Sequence, residues 1–421
     1  MTRQEFLSAA AKGQGRAVLA LQRGEYIASL QEMRRLILRW PGHDGQLETS
    51  RGWYTAELIR ASGMEGQLTA LLVRHLPRTR LNKYDRQHRE VVIGRLAVQG
   101  SNVAKQALYA NFDAANEFRL ADEIVEVDGL LGLDWVITHS SGFLVPDERW
   151  RFEAWIEELN ASLGENVVGD WLARESSQRP EISEFQGLVE MGPNPRDRAT
   201  KPARPPWTFE QMSEAARKPG ARLSMAAIWA LSAPDDELVK AWNAFEAEQD
   251  EEWLRRLAMA LRRKSQFCDL EKTIARAQKW GKEKNPFVCA MEEIADSRIR
   301  ELAFELIESS RIVDGIHLLE KNAVAGDESM ILAAVKSLTN DWDLHQVGIE
   351  LCHIGERLRS PDLLLWSYEY NPCSFCREYT VDALLNIEQF PDWLLRECLY
   401  DCGEDTRELA KRALAGKIKN P

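Results

Sequence analysis

Apolar residues return at helical spacing along almost the whole chain, and the alternating runs expected of half-buried strands are scarce. In the first half this pattern predicts helices over 4–21, 26–40, 53–61, 66–76, 86–98, 103–115 and 150–163. Pro41-Gly42 is a stop signal after the second of them. The stretch 122–137, which contains IVEVDGLLGLDWVI, fits either a short strand, turn and helix or a loop with one buried turn. Its acidic flank and Gly129 make the loop the expectation.

A boundary is easier to place. Between 175 and 207 stand Pro180, Pro193, Pro195, Pro202, Pro205 and Pro206, interleaved with Arg196, Arg198, Lys201 and Arg204. Proline lacks an amide donor and is excluded from helix interiors, so this segment reads as a linker or long loop. Thr208-Phe209-Glu210-Gln211 then has the form of a capping box, in which Thr208 and Gln211 satisfy each other's exposed amides. The expected organisation is all-α: an N-terminal helical domain over 1–174, a Pro/Arg-rich linker over 175–207, and a second helical array over 208–421.

Three segments of that array share a pattern: DSRIRELAFELI at 296–307, CSFCREYTVDAL at 373–384 and EDTRELAKRAL at 404–414. Each has Arg-Glu near a helix start, a small residue three positions after the arginine and an aliphatic residue seven after it. The arginines are 77 and 30 positions apart (377−300 and 407−377), and 77 is close to two helix-pair repeats of about 38. The small residue lets two helices approach and the aliphatic one fills the seam. The arginine can bond a carboxylate or carbonyl of a neighbouring turn. One helix pair cannot bury its apolar face alone, so pairs stack.

In these residues the chain resembles the HEAT-repeat superfamily, whose second helix opens with an acidic turn residue followed by Val/Ile-Arg and a small residue. Asp296, Ile299, Arg300 and Ala303 match, as do Asp405, Arg407 and Ala410, whereas Cys376 and Thr380 depart. The resemblance covers residues 209–414 and implies a short α-solenoid. It says little about function, because HEAT-like proteins are mostly interaction scaffolds. A minority bind DNA, including alkylpurine DNA glycosylases, and others include bilin lyases and a metal-dependent hydroxylase. The paired His-Glu motifs of the hydroxylase are absent from this sequence.

Composition narrows the classes. The chain of 421 residues, 44% hydrophobic and 29% charged, belongs with folded proteins. A net charge of −12 opposes non-specific attraction to nucleic acid or an anionic membrane, although a local basic patch can override it. Lys12, Arg16 and Arg23 interrupt any leader-like apolar run near the start. No run approaches the roughly 18 apolar residues of a membrane span. Seven cysteines, an odd number, do not read as a disulfide framework, so the expected compartment is cytoplasmic.

Candidate chemistry is sparse, and an enzyme is not expected. Cys373 and Cys376 form a CxxC and Cys398 and Cys402 a CxxxC, a set that would supply four thiolates to zinc. The expectation is nevertheless four small apolar side chains packed between helices, with Cys398 and Cys402 on one helical face; zinc, or a reactive thiol at Cys373 or Cys376, is the alternative. No other cofactor is indicated. The seven histidines include no HExxH and no HxxxH pair, so a site built on them has to assemble across distant helices. Lys12-Gly13-Gln14-Gly15-Arg16 lacks a phosphate-loop frame and reads as a loop or helix kink. His139-Ser140-Ser141-Gly142 lacks a nucleophile elbow.

Two surfaces remain. From 253 to 284 there are ten basic residues against three acidic, and Arg255, Arg256, Arg262, Arg263 and Lys264 form a stripe that would track phosphates. The polar turn 43–50 ends in Arg51, Trp53 and Tyr54, a candidate recognition surface for a protein. The leading expectation is a helical-repeat scaffold that binds a protein partner along an extended face. The alternative is a nucleic-acid-binding protein using the arginine stripe, and no membrane partner is expected.

Overall fold

The computed structural model describes the chain apart from residues 40–50, 77–82, 117, 141, 191–206, 219, 223, 282–283 and 420–421, and the side chains of 417–419. Among the described residues the protein is all-α, with 27 α-helices, no strand, and one isolated bridge between Asp113 and Arg119. No described helix is long and apolar enough to cross a membrane. The helices expected in the first half are present, with one split, and further helices stand at 122–137 and at Val167–Glu175. The segment 4–21 breaks into Arg3–Lys12 and Gly15–Gln22. The segment expected to be a loop at 122–137 is instead a helix pair, Ala121–Asp128 and Leu130–His139, broken at Gly129. Burial of Ile124, Val125, Leu133, Val136 and Ile137 drives that pair, which a reading of local punctuation undervalues.

The chain forms two compact units, one of Met1–Thr200 with Asp392–Pro421 and the other of Lys201–Pro391. This division departs from the expected one at two places. Inside the expected linker, Pro180–Glu190 is a helix that buries Ile182 and Phe185, with the Phe185 ring 5.0 Å from that of Phe152. Proline is tolerated at its first position, where the missing amide has no helical partner. The other five linker prolines lie outside the described residues. At the far end, the helices Asp392–Cys398 and Glu404–Lys419 leave the expected repeat array and join the first unit. The Cys402 amide donates to the Gly13 carbonyl at 2.9 Å, and Arg16 pairs with Glu397 at 2.8 Å. Cys402 itself lies in the first unit's core. Gly15 makes this return feasible, since a Cβ there would overlap the Glu397 carbonyl.

The second unit opens with the anticipated capping box: Thr208 and Gln211 exchange side-chain-to-backbone bonds at the start of Phe209–Ala216. Its helices pack in two series. Met225–Ser232, Glu251–Leu261, Pro286–Met291, Ile312–Asn322, Gly348–Leu358 and Ser374–Asn386 each contact the next, with intervening helices packed beside them. Trp229, Trp242 and Trp253 are buried and Trp280 is partly so, as their spacing suggests.

Arginines stitch helices together by reaching the carbonyls that end a helix some 28–37 residues earlier. Arg276 donates to Glu248 O at 2.7 Å, Arg311 to Trp280 O at 2.8 Å and Ala277 O at 3.1 Å, and Arg357 to Glu320 O at 2.8 Å. The last carbonyls of a helix have no partner within it, so each guanidinium satisfies orphan acceptors and complements the helix dipole. Arg300, from the shared pattern, pairs with the Asp327 carboxylate. Arg377 and Arg407 instead bond carbonyls of the turn just before their own helix, Pro372 O at 3.4 Å and Asp401 O at 2.9 Å.

Candidate functional site

An open cavity of about 640 Å³ lies along the continuous helix series of the second unit. Glu251–Leu261 contributes Arg255, Ala258 and Met259 to it, and Pro286–Met291 contributes Val288 and Cys289. Ile312, Val313, Asp314 and His317 come from Ile312–Asn322, and Trp342, Asp343 and Gln346 from Asp341–Gln346. Helical spacing explains why these meet: Arg255 and Met259, at i and i+4, share a face, as do Asp314 and His317 at i and i+3. Trp342 is 45% exposed and lies under the Lys284 ammonium, 5.6 Å from the ring centre. The lining holds three cations, Arg255, Lys284 and Arg311, against three carboxylates, Glu292, Asp314 and Asp343.

The ionisable groups of this cavity are strongly perturbed. Burial raises the carboxyl groups of Glu292 and Asp314 above their ordinary range and pushes the Cys289 thiol up to about 12. Burial alone would lower His317, but its 2.8 Å bond to Glu350 and the surrounding carboxylates outweigh that and raise it. Burial thus favours the neutral acid form of Glu292 and Asp314, while Glu350 favours the cationic form of His317.

Next along the same series is a thiol–imidazole cluster. Cys373 is the N-cap of Ser374–Asn386, Cys376 stands one turn in, and His345 arrives from Asp341–Gln346. Their ligand atoms all lie within 4.8 Å of one another, with Cys376 Sγ 3.7 Å from His345 Nδ1. Both cysteines are buried and His345 is half-buried. Hydrogen bonding from Cys376 lowers the Cys373 thiol and raises Cys376 in turn, with His345 adding to the first effect. Glu350 is close enough for its charge to push Cys376 further up, so the cavity and the cluster share one electrostatic neighbourhood.

The residues singled out by sequence are distributed very differently. Arg51 and Tyr54 are buried in the first unit, Arg51 on the Ala11 carbonyl and Tyr54 OH donating to Gln14 O at 3.0 Å. Trp53 is covered by the Arg407 guanidinium at 4.0 Å from its ring centre. They are interior supports rather than a recognition surface, because the polar residues that looked exposed satisfy loop carbonyls inside the unit. The turn 43–50 lies outside the described residues.

In the arginine stripe, Arg255 pairs with Glu251 at 2.5 Å, Arg256 with Glu252 at 2.6 Å and Arg262 with Glu292 at 3.3 Å. Arg263 and Lys264 stand outside such pairs among the described residues, Arg263 exposed and Lys264 half-buried. Of the four cysteines, Cys373 and Cys376 come together, whereas Cys398 and Cys402 are buried in the first unit. Cys402 lies beyond the end of the helix that stops at Cys398, so the two do not share a helical face. Sequence reading missed His345, His317, Glu292, Asp314 and Glu350; only Asp314 and His317 share a helix, and the rest come from separate segments with no common local spacing. The one local signal was the CxxC after Asn371-Pro372.

Neither a protein-family model, nor a curated protein, nor a solved structure matches this chain.

Proposed function

We propose that the protein is a non-catalytic, HEAT-like helical-repeat module that holds a segment of a protein partner in the cavity of its second unit. The observation that carries this reading is the make-up of that cavity: an exposed tryptophan and aliphatic walls within a rim of balanced charge. Aromatic anchors in a polar rim are how protein interfaces concentrate their affinity. The inter-helix arginine stitching supports the repeat reading, since it recurs at Arg276, Arg311 and Arg357.

The nucleic-acid alternative receives less support. Three of the five stripe residues already have carboxylate partners, and Glu292, Asp314 and Asp343 stand among the cations of the cavity lining, where they oppose a phosphate backbone. A peptide library panned against the full chain tests the proposal. Enrichment of sequences with an aromatic or aliphatic anchor, lost with Trp342→Ala and with Met259→Arg, is the expected result. No enrichment, together with salt-steep binding of duplex or single-stranded nucleic acid that Arg263→Glu abolishes, would overturn it.

A further inference from the structure

We infer that His345, Cys373 and Cys376 form a mononuclear zinc site that pins Asp341–Gln346 to the start of Ser374–Asn386. The donor set is two thiols and one imidazole, the ligand types zinc takes from proteins. Tetrahedral zinc, with bonds of about 2.3 Å to sulfur and 2.0–2.1 Å to nitrogen, sets a sulfur–nitrogen edge of roughly 3.6 Å. The observed Cys376 Sγ to His345 Nδ1 separation is 3.7 Å, and all three donor atoms fall within 4.8 Å of one another. An ion fits between them with small side-chain shifts.

The surroundings hold the donors in place. The buried Asn371 bridges both ligand-bearing segments: its Oδ1 accepts from the Cys373 amide at 2.9 Å, and its Nδ2 donates to the Leu344 carbonyl, next to His345, at 3.2 Å. Arg377 donates to the Pro372 carbonyl and fixes the turn that carries Cys373. Gly348 allows this approach, because a Cβ there would overlap Asn371 Nδ2 and crowd Cys376 Cβ at 3.3 Å. Such outer partners orient metal ligands and are part of a metal site's design. The N-terminus of a 13-residue helix adds a favourable field for thiolates at its cap and first turn.

Binding displaces the protons of both thiols to solvent and forms two Zn–S bonds and one Zn–N bond, with water in the fourth position. Trp342, Asp343 and Gln346, which line the cavity, lie on the helix that the metal would anchor, so the ion would set the rigidity of that wall. The inference stands on the cluster geometry and does not depend on the peptide-binding proposal.

The test uses the full chain, purified under reductant and without added metal, then stripped and titrated with zinc and with cobalt(II). One zinc per chain is expected, with a cobalt spectrum carrying thiolate charge-transfer intensity for two sulfurs and the visible bands of a tetrahedral ion. Cys373→Ser and Cys376→Ser should each remove about half of that charge-transfer intensity. Asn371→Ala should weaken zinc by about tenfold or more. Cys268→Ser should leave the stoichiometry and spectrum unchanged. The wild-type cobalt spectrum decides the matter even if a variant fails to fold. Substoichiometric zinc with no thiolate band, a Cys373–Cys376 disulfide persisting under reductant, or full zinc retention by the Cys373→Ser/Cys376→Ser double variant would overturn the inference.

Discussion

Arginine goes to different places in the two units. In the first unit it enters the interior: Arg51 and Arg89 are buried on backbone carbonyls, and Arg119 is bound to Glu90 at 2.5 Å and to Leu76 O at 2.7 Å. In the second it sits at helix ends and repeats, at Arg276, Arg311 and Arg357. An interior guanidinium also meets helix-end acceptors, the Ala11, His75 and Leu76 carbonyls, but does so from within a closed core. An end-capping one serves a series in which the same problem returns with every helix pair. The first unit closes on its own C-terminal helices, whereas the second keeps a cavity along its helix series with perturbed ionisable groups inside. On the proposed function, recognition belongs to the second unit.

The largest expected effect lies where the first unit closes. Gly15→Ala forces a methyl into the Glu397 carbonyl, which belongs to the backbone and has no rotamer to move. A loss of roughly 4 kcal/mol is expected in urea unfolding of that unit, at the upper end for single substitutions. Gly169→Ala, in Val167–Glu175 with open space around it, should instead gain about 0.5–1 kcal/mol. Equal effects at the two glycines would mean that the C-terminal return does not hold the unit together.

Second comes the pH response of the first unit. Burial, with Arg51 and Arg89 adding to it, lowers His88 to about 4, while burial and Asp122 raise Glu123 to about 7. The unfolded chain takes a proton at His88 below about 6.5, and the folded one resists until about 4, so this residue costs stability as pH falls. The full cost is on the order of 3 kcal/mol, about 2.5 pKa units. Glu123 acts with opposite sign: the folded carboxyl keeps its proton up to about 7, so stability falls as pH rises from about 4.5. The two slopes offset each other in the wild type. Hydrogen exchange in Lys83–Val98 should show stability falling with pH in His88→Leu and rising with pH in Glu123→Gln. Parallel slopes in the two variants would refute this assignment.

Smaller effects follow in the second unit. Arg311→Met removes the guanidinium from the Trp280 carbonyl, while the Ala277 carbonyl keeps Asn285 Nδ2, and should cost about 1.5–3 kcal/mol, read as faster exchange near the end of Leu270–Lys279. Trp342→Ala should leave the thermal midpoint nearly unchanged, since the ring is 45% exposed, yet reduce peptide binding about tenfold, or about 1.4 kcal/mol. A collapse of stability in Trp342→Ala would reassign that tryptophan to the core.

The sequence made the helical class, the Thr208–Gln211 cap and the buried tryptophans legible, because each rests on periodicity or on a spacing within a few residues. It did not reveal the return of Asp392–Cys398 to the first unit, since Gly15 and Glu397 are linked by backbone proximity that no local pattern records. The pair at 122–137 was obscured by Gly129, which reads as punctuation but serves as a hinge between two buried helices. Of the candidate site, the CxxC was visible and its imidazole was not: His345 precedes Cys373 by 28 residues (373−345), and it is brought beside the thiols by the packing of a separate helix. The arginine stripe looks more basic than it is, because a count over 253–284 leaves out Glu251 and Glu252, which pair with Arg255 and Arg256 from one turn earlier.

The most direct test of the proposed division of labour is site-specific photo-crosslinking in the native source, with the reactive group at Leu338 in the cavity or at the exposed Val145 of the first unit. The account predicts a discrete, nuclease-resistant polypeptide adduct at Leu338 that Trp342→Ala removes, and none at Val145. A nuclease-sensitive adduct at Leu338, or the same polypeptide adduct at both positions, would contradict it.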